Sequence, residues 1–109
     1  MADVIYWVQD LLFVSKIREV AQQLQLRAAP VRDAASLVNQ SQGCKIVIVD
    51  LRIAAAVDAL AELPKDLPKV GFIDHERTDV MERAQSLGCR ALAKGKFSTE
   101  LPRILGEVC

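Results

Sequence analysis

The sequence predicts an α/β fold built on a five-stranded parallel sheet. Short apolar runs rich in β-branched residues alternate five times with segments whose apolar residues recur every three or four positions. The connections are too long for hairpins and suit helical crossovers, which favours a parallel sheet with helices on both faces. The second run contains Pro30, which places it at a sheet edge. These observations predict one domain, residues 1–109, with five helices and the strand order 2-1-3-4-5 of flavodoxin-like doubly wound folds.

The first half of the chain carries three of the predicted strands. Residues 4–8 form a continuous apolar run that is typical of a strand buried on both faces. An amphipathic helix follows, with an apolar stripe of Phe13, Ile17, Val20, Ala21 and Leu24. Residues 26–31 are the weak edge strand, and Asp33 is predicted to cap a short second helix. Residues 45–50, KIVIVD, are the clearest strand of the chain.

The second half repeats the alternation with shorter elements. A third helix carries Ile53, Val57, Leu60 and Ala61 and ends before Pro64. Residues 70–73 form the fourth strand, and a fourth helix ends at Gly88, a typical C-terminal cap. Residues 91–93 form the fifth strand. Ser98 is predicted to cap the last helix, whose stripe is Leu101, Ile104, Leu105 and Val108.

The composition of the chain limits the classes of binding partner and the cellular compartment that can be expected. Lysine plus arginine and aspartate plus glutamate number 14 each, so no broad positive field favours direct nucleic-acid binding. Cys44, Cys89 and Cys109 show no CxxC spacing and suit a reducing compartment. The first ten residues lack a basic signal-peptide region, and no apolar run approaches the roughly 20 residues of a membrane span. The sequence therefore predicts a cytoplasmic domain without membrane contact.

Polar residues gather where the predicted strands end. Ligands of doubly wound sheets collect beyond the carboxyl ends of the strands, where the strand order reverses. Topology therefore brings one set of residues to a single rim: Gln9, Asp10, Asp50, Asp74, His75, Lys94 and Lys96. Asp50 stands out because it ends the most apolar strand, either as a reactive carboxylate or as the cap of the helix that follows.

Two stretches of the sequence resemble the receiver domain of two-component response regulators. They are VIVDL at residues 47–51 and AQSLGCRALAKGKF at residues 84–97, which is similar to the AxxxGAxxYLxKPF pattern of that family. The resemblance extends over nearly the whole chain. It implies that Asp50 holds the phosphoacceptor position and that Asp10 is one of the Mg²⁺-binding acids. It also implies a protein partner, either a histidine kinase or a downstream effector.

The chain departs from the receiver pattern at several functional positions. Gln9 replaces the first Mg²⁺ acid, and Asp74 replaces the Thr or Ser that ends the fourth strand. Leu92 replaces the switch aromatic, and the lysine of the fifth strand is either Lys94 or Lys96. Asp74 would add a like charge beside a phosphorylated aspartate instead of a hydroxyl donor. The sequence thus predicts a pseudo-receiver, a signalling module that acts through protein contacts without a phosphotransfer switch.

Two other functions remain open from the sequence. One is a working but atypical receiver that is phosphorylated on Asp50, with Mg²⁺ held weakly by Asp10 and Asp50. The other is a small-ligand-binding domain that uses the same rim. An independent enzyme is not predicted, because no GxGxxG follows the first strand and no Ser-His-Asp or Cys-His arrangement is present. His75 is interpreted as a surface residue more readily than as a metal ligand or general base.

Two surface features are candidates for protein contacts. Leu11, Leu12 and Val14 add apolar residues at the start of the first helix, beside the rim. Arg90, Lys94 and Lys96 form a basic strip along the last strand. The resemblance to receivers implies that this strip lies where that family forms homodimers and effector contacts.

Overall fold

A computed structural model describes residues 1–109 and confirms the predicted fold class. All strand pairs of the sheet are parallel, and the strand order is β2-β1-β3-β4-β5. The strands are β1 Val4–Trp7, β2 Ala28–Pro30, β3 Ile46–Asp50, β4 Lys69–Ile73 and β5 Arg90–Ala93. The order reverses between β1 and β3, so the carboxyl ends of these two strands mark the expected ligand position.

Five helices cover the two faces of the sheet. They are α1 Leu11–Gln23, α2 Ala34–Gln40, α3 Ala54–Ala59, α4 Thr78–Ser86 and α5 Lys94–Gly106, and a 3-10 turn, Leu60–Glu62, continues α3. Helices α1 and α5 share one buried cluster with the sheet, and α2, α3 and α4 share the other. No helix has the length and apolar character needed to cross a membrane.

The predicted caps at Asp33 and Gly88 are confirmed. The carboxylate of Asp33 accepts a hydrogen bond from the Ser36 N–H at 2.7 Å, which satisfies a free donor in the first turn of α2. Gly88 has a φ of 84°, and the Cys89 N–H reaches back to the Ala84 carbonyl at 3.0 Å. This is the geometry of a glycine-terminated helix, and a side chain at Gly88 would strain it.

The predicted start of the last helix at Ser98 is wrong. Helix α5 begins at Lys94, directly after β5, and Ala93 precedes it without a side-chain cap. The reason is burial: Phe97 and Leu101 are both fully buried at a four-residue spacing, which extends the apolar stripe back by a turn. Ser98 lies inside the helix instead, where its hydroxyl accepts a hydrogen bond from the Lys16 ammonium of α1 at 2.8 Å.

The packing of the two faces differs in chemistry. On the α1 and α5 side, Phe72 stacks on Phe97 with ring centroids 4.6 Å apart, and Phe13 lies 4.6 Å from Phe72. The other face is filled mainly by aliphatic side chains. There, a Cβ added to Gly71 would stand only 2.7 Å from the Leu51 side chain. Gly71 therefore allows Leu51, the residue after Asp50, to pack against β4.

Candidate functional site

Asp50 lies at the carboxyl end of β3, where a tight turn leaves the sheet. The Ile53 N–H donates to the Asp50 carbonyl at 3.0 Å and closes this turn. The Leu51 N–H donates to the Phe72 carbonyl of β4, also at 3.0 Å. The side chain of Asp50 is 0% exposed, so its carboxylate is enclosed by the protein.

The guanidinium of Arg52 binds this buried carboxylate through two parallel hydrogen bonds. Arg52 Nε lies 3.1 Å from Asp50 Oδ1, and Nη2 lies 2.9 Å from Oδ2. The Arg52 backbone N–H adds a third donor to Oδ1 at 3.1 Å, and the Gln9 N–H a long fourth one to Oδ2 at 3.5 Å. Bidentate arginine–carboxylate pairing is among the strongest hydrogen-bond geometries in proteins. We call this Asp50–Arg52 pair the lock.

The lock also explains the electrostatics of Arg52. The hydrogen bond to Asp50 is the main cause that raises the pKa of Arg52 above its already high value, so the guanidinium stays charged. Asp10 and Asp74 raise the same pKa through their charges. The positive charge of Arg52 therefore offsets the buried charge of Asp50 and, more weakly, the charges of two further carboxylates of the rim.

The interpretation of Asp50 as a helix cap is wrong. Helix α3 begins at Ala54, and Ile53 precedes it without a side-chain hydrogen bond to its first turn. The Asp50 carboxylate binds instead the N–H two residues ahead, in the local turn that aspartate often forms with its own backbone. Both carboxylate oxygens of Asp50 accept hydrogen bonds from this turn or from the guanidinium of Arg52, and neither accepts one from the first turn of α3.

The carboxylate of Asp10 is engaged in another way. It accepts the Leu12 N–H at 3.0 Å and so caps α1. Its neighbour Gln9 is exposed and contributes only its backbone N–H to the site. The residues expected to hold Mg²⁺ therefore do not fit a cation in this arrangement, because both oxygens of buried Asp50 face Arg52. No group of three or more His, Cys, Asp or Glu side chains is placed to hold a metal ion.

A second ion pair closes the rim on its other side. Lys94 Nζ lies 3.3 Å from Asp74 Oδ1, so these two strand-end residues pair across β4 and β5. Lys96 instead pairs with Glu100 along α5, at 3.8 Å. Of the two candidate lysines, Lys94 is therefore the one that faces the rim. His75 is largely exposed and lies 3.8 Å from Glu76, outside the lock.

The two candidate contact surfaces differ in how much exposed apolar area or unpaired charge they present to a partner. Leu11 and Leu12 are 78% and 82% exposed at the start of α1, whereas Val14 is half-buried. The charges of the basic strip are partly paired, because Arg90 lies 3.1 Å from Glu100 and 3.8 Å from Glu107, and Lys96 lies 3.8 Å from the same Glu100. The two leucines are consequently the clearer surface for a protein contact.

Sequence reasoning missed two charged residues. Arg52 was not assigned a role, although an arginine two residues after a strand-ending aspartate is close enough to bend back onto it. Lys69 is 4% exposed, and its ammonium donates to the carbonyls of Pro64 at 2.7 Å and Leu67 at 3.0 Å. Lys69 begins β4, at the opposite end of the sheet from the rim, so it stabilises the turn before β4 and not the site.

No protein-family model, curated protein or solved structure matches the chain. The flavodoxin-like architecture therefore rests on the strand order and helix layers described above.

Proposed function

We propose that the chain is a signalling or regulatory interaction module of the receiver type whose phosphorylation site is closed. The support from the fold is the strand order and the position of Asp50 at the end of β3, beside the reversal of that order. The observation that carries the proposal is the lock, in which Arg52 binds both oxygens of a fully buried Asp50.

The lock opposes phosphotransfer on physical grounds. A carboxylate that accepts a phosphoryl group needs a free oxygen in line with the donor and a dication to offset the charge. Arg52 covers both oxygens, and moving it away leaves a buried carboxylate unpaired, which costs free energy. Asp74 at the same rim adds negative charge where a phosphoryl group would add more.

Protein contact remains the most direct use of such a domain. The exposed Leu11 and Leu12 lie at the start of α1, directly after β1 ends at the rim, and present apolar surface that the fold leaves uncovered. The proposed partner is a protein, either a histidine kinase or a downstream effector, and a second copy of the chain is the alternative occupant of the same surface.

A phosphoryl-mimic experiment tests the proposal. The wild-type chain is incubated with beryllofluoride and Mg²⁺ and, separately, with acetyl phosphate, while amide shifts and intact mass are followed. We expect no adduct on the wild type, since Asp50 is closed. R32A is the matched control, because Arg32 is exposed and makes no ion pair. R52A, which removes the guanidinium from Asp50, reports whether Arg52 is the barrier: an adduct limited to R52A supports the proposal.

The opposite outcome is equally clear. A stoichiometric adduct on the wild type that D50N abolishes would overturn the proposal. That result would establish the working, Mg²⁺-dependent receiver instead.

A further inference from the structure

A cavity of about 240 Å³ lies between α3 and α4, beside the lock. Three arginines line it, Arg52, Arg77 and Arg83, together with one acidic residue, Asp79. Its apolar wall includes Leu51, Val57 and Val80. We propose that this cavity binds a small organic anion, an apolar group that carries one carboxylate or phosphate.

The three arginines retain donors for such a ligand. Arg52 uses Nε and Nη2 on Asp50, which leaves Nη1. Arg77 contacts Asp79 through Nε at 3.4 Å, and Arg83 contacts Asp58 through Nη2 at 2.6 Å. A guanidinium has five N–H donors, so each arginine can bind an acceptor in addition to its present partner.

The acidic partners of Arg77 and Arg83, Asp79 and Asp58, weaken the positive charge of the cavity but do not prevent an anion from binding. The pairs of Arg77 and Arg83 are more than half exposed on both sides, and exposed ion pairs contribute little stability. An anion that meets two guanidiniums at once in a partly apolar cavity competes well with them. The same acids lower the local positive field, so binding of moderate affinity is expected, not a tight phosphate trap.

The apolar wall and the volume set the ligand class. Leu51, Val57 and Val80 give no hydrogen bond, so a bare inorganic ion would leave this part of the cavity unused. The volume lies below the roughly 300 Å³ at which pockets for drug-sized ligands begin. A compact anion with a single ring or a short branched chain therefore fits better than a nucleotide.

This site does not depend on the function proposed for Asp50. Arg52 Nη1 makes no hydrogen bond to Asp50, so a ligand can bind it while both bonds of the lock persist. The cavity is thus a binding site whether or not Asp50 accepts a phosphoryl group.

Amide-shift titrations test the proposal with four probes. Phenyl phosphate and benzoate each have a negative charge and an apolar ring. Inorganic phosphate has only the charge, and benzyl alcohol has only the ring. We expect saturable shifts with at least one of the two organic anions, confined to residues 51–57 and 77–83, and the stronger of the two identifies the preferred anionic group. Inorganic phosphate and benzyl alcohol are expected to bind at least about tenfold more weakly, because each loses one of the two contributions.

Single-arginine variants make the test specific. R77A and R83A are each expected to weaken binding about fivefold, the order expected for a half-exposed charge-assisted hydrogen bond, and the double variant to weaken it further. R32A removes the same charge at an exposed position outside the cavity and is expected to bind as the wild type does. Amide spectra without ligand verify that each variant is folded.

Three results would reject specific binding in this cavity. They are the absence of saturable shifts with both organic anions, shifts that map outside the cavity, and equal weakening in R32A, which would indicate general charge screening. Binding of inorganic phosphate as tight as that of phenyl phosphate would also reject the organic ligand.

Discussion

Asp50 and Asp74 mark the ends of neighbouring strands, yet their surroundings are opposite. Both meet a basic side chain, Arg52 at 2.9 Å and Lys94 at 3.3 Å. The Asp50 side chain is 0% exposed and the Asp74 side chain 59%. An exposed ion pair adds little to stability, whereas a buried carboxylate depends on its partner. We therefore expect the same residue type at the same rim to matter strongly for stability at Asp50 and little at Asp74.

The position of each strand in the sheet explains this contrast. The last residue of β3 is still paired with β4, where Asp50 lies opposite Phe72, and Leu51 continues into the core. Asp74 lies beyond the last residue of β4, at the start of a run of exposed residues, 74–79. One carboxylate is enclosed by the sheet, and the other has already left it.

Removing the partner of Asp50 should give the largest effect on stability. We expect R52M to lower the free energy of unfolding by about 2–3 kcal/mol, below the range for fully buried pairs because Arg52 is itself 40% exposed. Urea unfolding of R52M and the wild type measures this loss. The double variant D50N/R52M should recover most of it, since a neutral amide oxygen still accepts the N–H groups of the turn.

The contrast between the two rim carboxylates would fail if R52M were no more destabilising than K94M. Failure of D50N/R52M to recover stability would show that Arg52 acts through packing and not through its pairing with Asp50.

A substitution at Gly71, which packs against Leu51, should have an intermediate effect on the free energy of unfolding. In G71A, the added Cβ would meet Leu51 at 2.7 Å, so Leu51 has to shift, and overpacking of this kind typically costs about 1–2 kcal/mol. Because Leu51 lies between Asp50 and Arg52, we also expect faster exchange of the Arg52 Nε–H, measured by NMR.

G106A serves as the control, because nothing lies near the Cβ position of Gly106 in α5. Equal stability of G71A and G106A would contradict the role assigned to Gly71.

The smallest effect is expected at the exposed pair. D74N and K94M should each change the free energy of unfolding by about 0.5 kcal/mol or less, and the change should shrink further as salt screens the charges. Unfolding at low and high ionic strength measures both. A loss in either variant as large as that of R52M would place Asp74 in the same class as Asp50.

The fold was predictable because its signals are local and repeated. Apolar runs and helical stripes identified all five strands and all five helices, and Pro30 identified the edge strand. The start of α5 was missed because burial of Phe97 outweighs the capping preference of Ser98, and burial depends on the packed structure.

The location of the candidate site in the fold was predictable, but the pairing of its side chains was not. Topology brought Asp10, Asp50 and Asp74 to one rim, because they lie at the carboxyl ends of the neighbouring strands β1, β3 and β4. Which cation each carboxylate would meet depends on side-chain geometry that spacing does not encode. Lys94 could therefore be chosen over Lys96 only from the structure, and Arg52 was missed although its spacing allows the contact with Asp50.

The lock joins two residues that are only two positions apart in the chain. Contacts this local close almost no loop, so they cost little chain entropy and need no distant strand to be in place. A phosphoacceptor site of the receiver type, in contrast, is assembled from the ends of several strands. A shift of α5 relative to β4 would separate Asp74 from Lys94, whereas the two hydrogen bonds of the lock stay within one turn. The hydrogen bonds that close this site lie within a three-residue turn, whereas the burial of Asp50 comes from the sheet around it.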